Sequence, residues 1–154
     1  MKFRKLSLEE LELLKEDFIK FLASNTITAE DWVKMKIENI EKAESLIEMF
    51  SEIVMEKVYS KIEYLENRTK DSILLFKFEG DLMQILGVNT LDPAIDFTHL
   101  DLTKIDLEKI KLTGFRSSKV LEKGMKSLEV HQLIENNCFM CDASRFKLLD
   151  EIIE

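Results

Sequence analysis

Apolar residues recur at helical spacing from Leu8 to Leu65, and past Asp71 they gather instead into short continuous runs. A change of period of this kind restricts a chain to helices and sheet in separate stretches, the α+β class. The first helix is the best marked. Ser7 and Glu10 stand at the spacing of a capping box, Leu6 and Leu11 at that of a hydrophobic staple, and Leu8, Leu11, Leu14, Phe18, Phe21 and Leu22 form one stripe. Ser24 and Asn25 end it, with Asn25 expected in a left-handed conformation.

The same punctuation returns at Ile27, Thr28, Asp31 and Trp32, which predicts a second helix and sets the sole tryptophan to close a helix–helix corner. Asn39 is placed to cap a third, long central helix, expected to run to about Glu66 with Ala43, Leu46, Ile47, Phe50, Ile53, Val54, Val58, Ile62 and Leu65 on a broad apolar face. The runs 73–78 and 82–86 flank Glu79-Gly80-Asp81, a hairpin signal with glycine at the turn.

Residues 95–114 repeat every five positions, Ile-Asp-Phe-Thr-His, Leu-Asp-Leu-Thr-Lys, Ile-Asp-Leu-Glu-Lys, Ile-Lys-Leu-Thr-Gly, in the manner of pentapeptide repeats. Four such units are too few to stack as a solenoid. The expectation is therefore an irregular strand, a short helical turn near Thr103–Lys109 and a strand over 110–116. Ser117 or Ser118 then starts a helical segment to about Asn136, with a kink or a break into two pieces near Gly124, and Asp142 caps a final helix. The architecture predicted is one domain, 1–154. It has an N-terminal helical layer (7–66) with a long central helix, a small antiparallel sheet (73–116) and two C-terminal helices (117–153).

Charge bears on partners. The chain carries a net −8, and residues 7–66 hold fifteen Asp and Glu against seven Lys and Arg. That field repels phosphate backbones. The basic stretch 103–126 lacks the interleaved aromatics of a stacking platform, so nucleic acid is not an expected partner. No apolar window reaches the roughly 18 residues needed to span a bilayer, and the basic N-terminus runs into a charged helix rather than a signal sequence. Two cysteines fit a reducing compartment, and a cytoplasmic location is expected.

Catalytic patterns are sparse. No P-loop, GxGxxG, HExxH or Ser/His/Asp arrangement is recognisable, so no catalytic residue and no cofactor is assigned. Cys138-x-x-Cys141 is half of a zinc or redox motif. A Cys2His2 site would have to recruit His99 and His131, every histidine in the chain, at spacings foreign to zinc fingers. Buried packing is the expectation for both cysteines, and half-buried, hydrogen-bonded packing for His131 within Leu128, Val130, Leu133 and Ile134. Met49, Met55 and Tyr59 fall outside the stripe of the central helix, and Leu13 outside that of the first. With an acidic rim of Glu48, Glu52, Glu56 and Glu63, they are the candidate docking residues for a basic protein partner.

Phe18–Trp32, Lys42–Ser51, Ile95–Thr98 and the tail from Glu129 to Leu149 resemble an uncharacterised family of short acidic bacterial proteins. The resemblance implies a bacterial cytoplasmic protein and supplies no catalytic residues. The expected role is a non-catalytic protein-interaction or adaptor module. The alternative is a small metal- or thiol-dependent protein built on the two histidines and two cysteines.

Overall fold

The computed structural model describes residues 2–102, 104 and 106–153. The chain divides into two compact units, Met1–Val58 and Tyr59–Glu154.

The first unit is helical, and its helices begin where the punctuation places them. Ser7 accepts from Glu10 N–H (3.2 Å) while Glu10 Oε1 accepts from Ser7 N–H (3.0 Å), opening α1 (Leu8–Leu13). Arg4 clamps both Glu10 oxygens, and with the Ser7 amide it holds that carboxyl down at about 2. The single first helix expected is divided at Leu14, whose φ of −104° and ψ of 21° separate α1 from α2 (Lys15–Ser24). Its end also differs from expectation. Asn25 keeps a negative φ and Thr26 takes the left-handed conformation at φ 59°. Thr26 N–H then reaches Ala23 O and Ile27 N–H reaches Leu22 O, so a Schellman closure forms one residue later than asparagine preference suggests.

Thr28 and Asp31 exchange the two bonds of a second capping box, each 3.1 Å, to start α3 (Ala29–Glu38). Thr28→Ala should destabilise the protein by about 1 kcal/mol, the usual loss for an N-cap. Equilibrium denaturation checks it, and an unchanged midpoint would show that the helix start does not depend on the cap. Asn39 Oδ1 accepts from Lys42 N–H (3.2 Å) at the start of α4 (Ile40–Ser60). That helix was expected to reach Glu66 and stops six residues short. Ile62 and Leu65 are both buried, but Leu65 lies in β1 (Tyr64–Arg68), paired with strands on both sides. Short apolar spacings fit either period, and pairing decides here.

The second unit is built on a five-stranded antiparallel sheet of order β4-β3-β2-β1-β5. β2 (Ser72–Glu79) and β3 (Leu82–Thr90) form the expected hairpin, each longer than its apolar run. Gly80 supplies φ +60° at the first position of the two-residue turn, the requirement of a type II′ turn. β4 spans Leu112–Val120, so the helix expected from Ser117 or Ser118 does not start there. Ser117, Ser118 and Lys119 pair with Ile85, Gln84 and Met83. The helix α5 begins only at Lys126, beyond Gly124 (φ +80°), and runs to Glu135. Asn137 at φ 64° closes it, as expected of the Asn136-Asn137 pair. β5 (Phe139–Met140) and α6 (Ala143–Ile152), capped by Asp142, complete the chain. The sheet therefore spans 64–120 plus β5 rather than 73–116.

The five-residue pattern has a direct structural counterpart. Phe97, Leu102 and Leu107 are all buried and join Ile73, Leu75, Leu86, Val88, Phe146 and Leu149 in one core. Between them the chain turns at regular intervals. His99, Lys104 and Lys109 N–H groups donate to the carbonyls of Asp96, Asp101 and Asp106 at 3.1–3.2 Å. A 3-10 turn at Leu107–Lys109 falls within the helical turn expected, of which Thr103 and Ile105 lie outside the described residues. These turns pack on one sheet face, which supplies the neighbour that too few repeats cannot supply for each other.

Candidate functional site

The residues singled out by the sequence separate in the structure. Met49 and Leu13 are exposed, whereas Met55 and Tyr59 are buried and offer nothing to a partner. This corrects the proposed four-residue surface. The buried face of α4 shifts along the helix: Ile53 and Val58, on the expected stripe, are 56% and 46% exposed, and Met55 and Tyr59 turn inward instead. Tyr59 Oη lies 3.2 Å from His131 Nδ1 on α5, with ring centroids 5.5 Å apart.

That contact also draws His131 into packing, as expected, while His99 is exposed on a turn. Cys138 is buried and Cys141 half-buried on either side of β5. Burial pushes the Cys138 thiol up. Burial and the neighbouring Glu66 carboxylate push Cys141 up to about 12, well above the range of an activated thiolate nucleophile. Among the described residues no three His, Cys, Asp or Glu side chains converge to hold a metal.

A polar cluster that the sequence did not suggest lies nearby. Glu66, buried on β1, pairs with Arg68 (3.4 Å) and with Arg145 of α6. Arg68 Nη1 also donates to the carbonyls of Phe97 (3.2 Å) and Leu100 (2.9 Å). The cluster ties β1, α6 and the 97–100 turn together, a bracing arrangement. Glu66 and Arg68 are neighbours at i and i+2 on a strand where the sequence reads the end of a helix, and Arg145 is far along the chain, so the pattern was not legible.

The helical unit holds a different kind of site. An apolar groove of about 440 Å³ opens among α1, α2 and α3, with Phe18, Leu22 and Ile47 among its lining residues. Phe18 and Leu22 are buried, and Trp32 stands edge-on to Phe18 with centroids 5.1 Å apart. The expected corner contact of Trp32 is thus present, and the half-buried indole also lines the groove. Lys36 Nζ lies 5.9 Å from the indole centroid, and Glu12 and Lys15 add further charge to the lining.

Groove-lining Leu8 and Val33 are 83% and 54% exposed, and Ile37, one turn beyond Val33 on α3, is 75% exposed. No residue of α3 is fully buried. A ten-residue helix that leaves its aliphatic side chains in water, beside an open apolar groove, has the marks of a binding surface. The signal for it was present as Val33, Ile37 and Ile40 at i, i+4 and i+7, overshadowed by the stronger stripe of the helix that follows.

Fold and groove together define an α+β protein whose helical unit presents an open apolar surface and whose sheet unit encloses its own core. The model of a family of unknown function, DUF6495, matches residues 1–154, and the chain belongs to that family. No curated protein and no solved structure matches it. Among the described residues no helix is long and apolar enough to cross a membrane.

Proposed function

We propose that this protein is a non-catalytic protein-interaction or adaptor module of the bacterial cytoplasm, and that the groove beside Trp32 receives an amphipathic segment of a partner protein. The observation that carries the reading is the groove itself, lined by Phe18, Leu22 and Trp32 and bordered by exposed Leu8 and Val33. Apolar concavities with few polar groups are the usual receptors for apolar side chains. Two free cysteines accord with a reducing compartment. Near the groove Glu12, Lys15 and Lys36 mix both signs, so the wider field comes from the acidic excess over 7–66. That field favours a basic segment and speeds its encounter at low salt.

The test is co-purification from native cells with wild type, a Val33→Glu, Ile37→Glu double variant, and Met49→Glu as a surface control, each first shown folded by circular dichroism. The double variant should lose a specific partner that wild type and Met49→Glu both retain. Identical partner profiles for all three would overturn the groove as the docking site.

A further inference from the structure

The two edges of the sheet are unlike. β5 closes one edge with two residues, whereas β4 ends the other with nine, and every residue from Thr113 to Val120 is exposed. The phase of the ladder shows which backbone groups face outward. Leu121 N–H donates to Asp81 O at 2.7 Å, and these residues flank the Leu82–Val120 pair. That pair is therefore the non-hydrogen-bonded kind. Alternation along the unbroken register turns the N–H and C=O groups of Leu112, Gly114, Arg116, Ser118 and Val120 away from β3. Among the described residues no backbone partner meets them. A row of unpaired amides on a long terminal strand is a template for another strand.

Charge selects the occupant. In a chain of net −8, residues 109–123 carry Lys109, Lys111, Arg116, Lys119 and Lys123 against Glu122 alone. Arg116 is held by Asp150, and Lys119 lies 3.4 Å from Glu129. Lys109, Lys111 and Lys123 are exposed at the two ends of the strand and make no ion pair among the described residues. In the antiparallel two-fold register centred on Arg116 a second copy is disfavoured: Arg116 would face its equivalent, with the lysines that flank the strand drawn together at both ends, and like charges so placed are destabilising.

We propose that the outer edge of β4 is a strand-addition site for an extended acidic segment of a partner protein. Main-chain bonds to the outward amides hold the added strand, and carboxylates at its ends meet Lys109, Lys111 and Lys123. The same cations keep the edge from pairing with itself. The site is separate from the groove and stands or falls independently of it.

The experiment selects random twelve-residue peptides displayed on phage against the full chain and measures the recovered peptides by fluorescence polarisation. Ser118→Pro removes an outward N–H that bonds nothing in β3, so the ladder is preserved. Lys111→Glu with Lys123→Glu serves as a second variant that leaves the backbone untouched. The recovered peptides should be enriched in Asp and Glu around a β-branched run. They should bind either variant at least tenfold more weakly than wild type, and Val33→Glu, Ile37→Glu as well as wild type. The proposal is overturned by recovery of no peptide, by peptides without acidic enrichment, or by peptides that bind both β4 variants like wild type. Peptides weakened only by the groove variant overturn it too. So does a wild-type dimer in sedimentation that Ser118→Pro dissociates, which would give the edge to a second copy.

Discussion

Phe97→Ala should destabilise the protein by about 3–5 kcal/mol, the range for a large buried aromatic cut to alanine. Phe97 has no exposed surface and belongs to the core that the 95–110 turns share with Ile73, Leu75, Leu86 and Val88. Its backbone is fixed independently, because its N–H donates to Lys70 O and its carbonyl accepts from Arg68. A segment pinned at that point cannot collapse fully into the vacated space, and incomplete collapse is what makes a cavity costly. Urea denaturation measures it, with Leu91→Ala as the control. Leu91 is entirely exposed, so its truncation should fall within about 0.5 kcal/mol of zero. A loss below about 1 kcal/mol for Phe97→Ala would show that the five-residue turns lie on the sheet without being needed to cover it.

Glu66→Ala should cost about 3 kcal/mol, for a different reason. Glu66 is buried and shared by two guanidinium groups, Arg68 at 3.4 Å and Arg145. Forming such a group from separated ions yields little, but removing the anion leaves Arg68, itself mostly buried, without its counter-charge. Arg145 is more exposed, so Arg145→Ala should cost clearly less than Glu66→Ala. Equal losses in urea denaturation would mean that the carboxylate is bracing α6 alone.

The elements that announced themselves in sequence did so through local chemistry. Both capping boxes, the Asn39 and Asp142 caps and the Gly80 turn are set by bonds within a few residues, and all of them form. What sequence could not supply is whatever depends on distant pairing. Leu65 fits a helical stripe until β2 and β5 are known to lie beside it, and Ser117-Ser118 fits a helix start until β3 is known to be its neighbour. The candidate site suffered for the same reason. Met55 and Tyr59 are apolar residues off a stripe, which periodicity cannot distinguish from surface residues. Val33 and Ile37 sit on a short helix whose exposure becomes apparent only when its lack of buried residues is seen. The five-residue repeat lay between these cases. Its inward positions were legible, but the sheet face that receives them was not.

Gly87 faces Phe115 across the β3–β4 ladder, and a Cβ at Gly87 would lie 2.2 Å from the Phe115 ring. The aromatic ring occupies the room that a single methyl group would need. Sliding β4 by two residues would keep its faces but bring Phe115 opposite Ile85 or Asn89, both of which carry side chains where the glycine carries none. Gly87 thus acts as a keyhole that admits one alignment of the last strand and rejects its nearest competitors. Which residue of β3 each side chain of the last strand meets is settled by one absent carbon atom, buried within the ladder.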